Sequence, residues 1–242
     1  MEASGQRIYR RHEIPYVDYL MTYQNALIEE FLEFHDNWFN ADEEVKGLVL
    51  ARPGGRNIDY FLSDAYAWKS SWLRYEYTPG GQYHTNEENL PHFPTASKIL
   101  SELEGQLGIV MYSILEANSV IDRHTGPENR TGEYLRIHLP LIVPKGDIFF
   151  EVNGEEIDWS EPFGFNNQYI HSAHNYSSQR RLVFLIDIRR SFLGLPPGFP
   201  FYSKEHLTCM AAVKPFVRKS IRMDEYSTCP EDDGTDKTAN SY

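Results

Sequence analysis

Two histidines stand out for the chemistry they could perform together: His124 in Asp122-Arg-His124-Thr-Gly126-Pro, and His171 in Phe165-Asn-Asn-Gln-Tyr-Ile-His171. A lone histidine in a β-rich protein is more often structural or solvent-exposed than a ligand, so neither carries weight by itself. Each flanks a β-rich run, however. His124 reads as part of a loop between strands and His171 as part of the loop before the last strand, and in a jelly roll those loops open onto one end. Two neutral imidazoles so placed suit a divalent transition metal such as iron. The usual two-histidine, one-carboxylate iron site carries its acid two residues after the first histidine. That position is Gly126, which offers no ligand and leaves room for water. Asp122 and Glu128 lie close by at other offsets and read as solvated loop acids.

Arg181 opens the apolar run Arg181-Leu-Val-Phe-Leu-Ile-Asp187. An arginine facing the interior from such a strand needs an anionic partner. A dicarboxylate would supply one, since guanidinium takes carboxylate bidentately. Arg180 beside it has to face the other way, because successive strand residues point to opposite sides. Ser113, on an earlier strand, could add a hydroxyl to the same carboxylate or be an ordinary strand serine. Arg136 and His138 alternate along Tyr134–Val143 and so share one face. Turned inward they make an anion-binding patch; turned outward they are a solvated strand face.

The elements that must position these residues come in two kinds. From Tyr16 to about Phe39 the apolar residues Leu20, Tyr23, Leu27, Phe31, Phe34 and Trp38 recur at spacings of three and four, which predicts a helix with one buried stripe. Glu29, Glu30, Glu33 and Asp36 are expected on its solvated side. Residues 1–16 read as irregular. Trp72–Tyr77 alternates as a strand, and Phe93–Leu103 reads as a short helix behind a proline turn. Beyond it strands predominate: Gly108–Glu116, Tyr134–Val143, Asp147–Val152 and Arg180–Arg189, with Asn153-Gly154 as a hairpin turn into Glu155–Trp159. Short strands without helices between them predict a mainly β fold, a double-stranded β-helix (jelly-roll, cupin-like) barrel, with supporting N-terminal helices. The expected division is 1–92 for N-terminal elements packing on the barrel, 93–190 for the jelly-roll core, 191–226 for a C-terminal extension, and 227–242 for a polar, disordered tail.

Composition narrows the partners. The net charge of −12 repels phosphate backbones, so no nucleic-acid partner is expected despite basic clusters at residues 7–11 and 218–222. Two cysteines, Cys209 and Cys229, are too few for a disulfide framework and fit free thiols in a reducing compartment. No apolar run approaches the ~20 residues needed to cross a bilayer, and no signal region is apparent, so a cytoplasmic protein with no membrane partner is expected. Asn129-Arg-Thr and Asn175-Tyr-Ser then read as chance matches to the glycosylation pattern.

From about Phe93 to Arg190 the sequence resembles the aspartyl/asparaginyl β-hydroxylase family of iron(II)/2-oxoglutarate oxygenases. The resemblance is carried by Tyr112-Ser-Ile, His124-Thr-Gly-Pro-x-Asn, Leu135-Arg-Ile-His-Leu, Ile142-Val-Pro, the Phe165-to-His171 element and Arg181-Leu-x-Phe-x-x-Asp, in family order. It implies Fe(II), 2-oxoglutarate and O2 as cofactor and cosubstrates. It implies His124 and His171 as metal ligands, with the glycine after His-Thr normal for the family. It also implies Arg181 and Ser113 on the distal carboxylate of 2-oxoglutarate, His138 at its other end, and Arg136 and Trp68 toward the substrate.

Three departures bear on substrate. Extra residues separate His124 from His138, Tyr134 stands where the aspartyl-directed enzymes have a second arginine, and His174 replaces an aromatic residue. The membrane anchor and long lumenal extension of the animal enzymes do not precede the motifs. The expectation is therefore a hydroxylase acting on a free amino acid, a carrier-bound one, a specialised metabolite or a peptidyl residue. Halogenation, cyclisation or desaturation on the same scaffold, and a non-catalytic binding barrel, are the alternatives.

Overall fold

The computed structural model of the chain describes residues 8–39, 51–52, 56–57, 68–76, 83–124 and 132–198. The tail 227–242, most of the extension 191–226, both cysteines, Gly126, Glu128 and Asn129 lie outside them.

Strands β1 (Ile8–Arg10), β4 (Trp68–Glu76), β5 (Tyr83–Thr85), β6 (Leu107–Leu115), β8 (Tyr134–Ile142), β11 (Phe163–Phe165) and β13 (Arg181–Arg189) form one sheet, ordered β1-β11-β8-β13-β6-β4-β5. Strands β7 (Ser119–His124), β9 (Ile148–Val152), β10 (Glu155–Ile157) and β12 (His171–Asn175) form the facing sheet, ordered β10-β9-β12-β7. A separate pair, β2 (Ala51–Arg52) and β3 (Arg56–Asn57), completes the strands. From β6 to β13 the chain passes between the two sheets in the jelly-roll order, with every pairing antiparallel. The mainly β, jelly-roll expectation holds. The Asn153-Gly154 turn has φ of 51° and 85°, the left-handed pair that a two-residue hairpin needs, and glycine takes the second at no steric cost.

The large sheet is buried on both faces, which explains why β6, β8 and β13 read as almost unbroken apolar runs. Its outer face, through Leu135, Ile137, Leu139, Leu182, Phe184 and Ile186, packs under the helices. Each such side chain contributes about 1.5–3 kcal/mol on burial. The predicted single helix is two: α1 (Val17–Met21) and α2 (Gln24–Phe39). They part at Thr22, whose hydroxyl bonds the Tyr19 carbonyl at 2.6 Å and competes with the helical ladder. Leu20, Leu27 and Phe31 are buried as the stripe predicts; the Trp38 side chain lies outside the described residues.

Two expectations are corrected here. Glu30 is not on the solvated side but buried. Its carboxylate accepts the Thr95 and Ala96 amides at 2.5 and 3.0 Å and the Tyr112 hydroxyl at 2.5 Å. Those amides open α3 (Pro94–Glu102), whose own N-cap, Phe93, provides no side-chain acceptor. Glu30 thus caps a distant helix, and the helix dipole favours the negative charge there. The N-terminal segment is not wholly irregular either, since β1 joins the sheet edge with Ile8 paired to Phe165. Among the described residues no helix is long and apolar enough to cross a membrane.

Candidate functional site

Neither histidine lies in a loop, as the sequence suggested. His124 closes β7, His171 opens β12, and they are direct register partners across the smaller sheet. Their ring centroids are 4.2 Å apart. Each Nδ1 lies 2.7 Å from the carbonyl two residues earlier, Asp122 for His124 and Tyr169 for His171. A carbonyl only accepts, so each Nδ1 carries a proton, and in the neutral ring that leaves the lone pair on Nε2. That is the tautomer and the outer support a metal-binding imidazole requires. Burial, and next the neighbouring His124, hold His171 well below the ordinary imidazole range, so it stays neutral. Among the described residues, no further histidine, cysteine or acid joins the pair in a cluster of three.

The large sheet presents its inward face to this pair as a series of cross-strand rungs. Asp187, Arg136 and Phe165 align, as do Leu185, His138 and Phe163, then Val183, Ser113 and Ser70, and finally Arg181, Leu115 and Trp68. The histidine pair belongs to the first end, where Phe165 lies 5.1 Å from His171. Arg181 belongs to the opposite end. The alternation requires one of the two adjacent arginines to face out, and it is Arg180: Arg181 is buried, whereas Arg180 reaches Glu116 at 3.6 Å on the surface.

Arg181 is 2% exposed, and among the described residues its Nε has no hydrogen-bond partner. Its Nη2 meets the Ser113 hydroxyl only at 3.4 Å, and its guanidinium lies 4.6 Å over the Trp159 ring. Burial alone pushes it down to about 9. His138 is enclosed by Phe150, Phe163, Phe165 and Trp159, with centroids 5.0–5.7 Å away, and neither ring nitrogen has a hydrogen-bond partner among the described residues. Burial first, then Arg181 and Arg136, keep it well below the ordinary imidazole range and so neutral. Each buried polar group without a partner costs about 1–3 kcal/mol. Such groups concentrated between a histidine pair and an inward guanidinium fit an anion that accepts from both ends, with a divalent metal at the histidines.

Arg136 and His138 share the inward face, as alternation predicted. The Arg136 guanidinium, though, is bound bidentately by Asp187, both contacts at 2.8 Å, with both residues buried. Gly108 makes room for this pair, since a Cβ there would lie 2.9 Å from the Asp187 Cβ. Tyr134 lies one rung beyond, its hydroxyl accepting from Arg189 at 3.0 Å and its ring 5.3 Å from Tyr83. Trp68 is aligned with Leu115, and through it with Arg181, in the register of the sheet, at the arginine end. Asn175 is fully buried, its amide donating to Leu115, Glu116 and Gln179, which closes this glycosylation pattern to modification in the folded chain. Sequence reasoning missed Asp187 and Trp159. An acid inside an apolar strand was a visible signal for the first; an aromatic after a hairpin gave none for the second.

The jelly roll thus carries a register-paired histidine couple at one end and a buried guanidinium at the other. Residues 34–191 match the family model described as aspartyl/asparaginyl beta-hydroxylase, and the chain belongs to that family. Similar solved structures include an oxidoreductase of the 2OG-Fe(II) oxygenase family from Burkholderia pseudomallei, at 11% identity and TM-score 0.40, covering 61% of this chain and 76% of that one. A prolyl hydroxylase from Trichoplax adhaerens, in complex with a hypoxia inducible factor oxygen degradation domain peptide, is also similar: 11% identity, TM-score 0.41, 69% of this chain and 80% of that one. No curated protein matches the chain.

Proposed function

We propose that this chain is an Fe(II)/2-oxoglutarate-dependent hydroxylase of an amino acid, an amino-acid-derived metabolite or a peptidyl residue. Fe(II) with 2-oxoglutarate and O2 supplies the oxidation of an unactivated C–H bond while the cosubstrate is decarboxylated to succinate and CO2. His124 and His171 hold the metal through Nε2. Arg181 and Ser113 take the distal carboxylate, and His138, kept neutral, serves the end nearer the metal. The phenylalanines around His138 keep water out of the space between them.

The observation that carries the reading is the inward Arg181, a buried guanidinium without a counter-charge behind a register-paired histidine couple. Tyr134 and Arg136 form the substrate side, whereas Trp68 stands in register with Arg181 at the other end of the sheet and not beside them. Because Asp187 already neutralises Arg136, the substrate need not bring an acidic side chain. The test is anaerobic addition of 2-oxoglutarate to the Fe(II)-loaded chain, followed by O2 and a panel of amino acids, carrier-bound amino acids and peptides. A metal-to-ligand absorption band and O2-dependent succinate are expected. No band would remove the assignment, whichever substrates were tried.

A further inference from the structure

Trp159 follows β10 and is 2% exposed, and among the described residues its indole nitrogen has no hydrogen-bond partner. A buried tryptophan ordinarily finds an acceptor for its N–H. This one cannot turn to find one. It is wedged edge-on between Phe150 and Phe163, at 5.5 and 5.2 Å, and lies parallel to His138 within 7°. It also carries Arg181 on its ring, so it touches both residues assigned to the two ends of 2-oxoglutarate. A guanidinium resting on an aromatic face keeps its donors in its own plane, directed away from the ring. The indole face therefore supports the Arg181 guanidinium without taking up one of its conventional hydrogen bonds.

We propose that Trp159 is a recognition residue for the cosubstrate: its indole N–H donates to the distal carboxylate that Arg181 takes, and its ring face orients that guanidinium. This rests on the 2-oxoglutarate reading above and adds a residue to it. Carboxylate, guanidinium and indole N–H then form one charge-assisted set, in which one anion satisfies two donors left unpaired by the fold.

The test uses the full chain with Zn(II) in place of Fe(II) and 15N-labelled indoles. The sequence has four tryptophans. The Trp159 signal is identified by its loss in W159F, or by elimination with W38F, W68F and W72F should W159F not fold. On adding 2-oxoglutarate it should move downfield and become protected from exchange. With 2-oxobutyrate, which keeps the 2-oxo acid and lacks the distal carboxylate, it should stay in place. W159F, which retains a ring over Arg181 but no donor, should bind 2-oxoglutarate roughly ten- to a hundredfold more weakly, with 2-oxobutyrate affinity unchanged. An indole that ignores 2-oxoglutarate, or moves equally with both acids, overturns the proposal. If wild-type chain binds no 2-oxoglutarate at all, the cosubstrate reading falls with it; binding with an unmoved indole removes only the part given to Trp159.

Discussion

Replacing Arg181 with methionine should stabilise the ligand-free protein while removing its 2-oxoglutarate binding. Burial pushes Arg181 down to about 9 with no opposing charge. At roughly 1.4 kcal/mol per pH unit that is a penalty of about 5 kcal/mol on the charged form. The Trp159 face returns about 2 kcal/mol, and the long contact to Ser113 adds little. The net cost is about 3 kcal/mol. Methionine fills much of the same volume, and its sulfur packs well against an indole, so a gain of about 1–3 kcal/mol is expected, at roughly 2–4 °C in Tm per kcal/mol.

The pH sign follows. Arg181 is charged in both states below about 9, so the advantage of R181M is constant there. Above that pH the folded wild type sheds its proton before the unfolded chain does, wild-type stability rises, and the difference shrinks. Urea denaturation at fixed metal concentration measures all of this. Wild type should gain about 2.7 kcal/mol from 2-oxoglutarate at a hundred times its Kd, and R181M nothing. A ligand-free R181M less stable than wild type by more than about 1 kcal/mol would refute the reasoning, because it would mean the guanidinium already has its partner inside the chain.

H124A and H171A should each abolish divalent-metal binding in a calorimetric titration; wild-type affinity in either variant would count against the pair as ligands. D187N should cost about 3–5 kcal/mol in urea denaturation, since it leaves the buried Arg136 charge uncompensated, and a loss under about 1 kcal/mol would contradict that account. His138 is held neutral by burial, whereas the unfolded chain takes up that proton below about pH 6.5. Ligand-free stability should therefore fall as pH falls from about 7 toward 5, by up to about 1.4 kcal/mol per pH unit from this group. H138L should flatten that dependence; the same slope in both proteins would be the failing result.

The barrel was legible because its central strands are apolar on both faces. β6, β8 and β13 are predicted to within a residue or two, and Asn153-Gly154 announces its hairpin. The strands that carry the histidines were not. β7 is short, polar and half-solvated, and β12 is short and polar although largely buried, so Ser-Val-Ile-Asp-Arg-His and His-Ser-Ala-His-Asn read as loop. Their strand character comes from partners far along the chain, including each other. Alternation found that Arg136 and His138 share a face but could not say whether it turns inward or what fills it. Glu30 was unreadable for a related reason: a carboxylate on a helix flank looks solvated until the helix it caps is known.

Three arginines are buried among the described residues, and their partners separate scaffold from site. Arg136 is matched by a carboxylate in bidentate geometry. Arg190 donates to the Tyr9 hydroxyl at 3.1 Å and to the Tyr134 and Pro196 carbonyls at 3.4 and 3.5 Å, with the Tyr9 ring 5.2 Å beneath it. Arg181 has one long contact to a hydroxyl and a ring face. Burial is nearly the same for all three, at 5%, 3% and 2% exposed, so desolvation does not distinguish them; satisfaction does. Among the described residues the fold pairs two of its buried cations internally and gives the third, and the histidine and indole near it, no acceptor of their own, an arrangement that suits an anion from outside the chain.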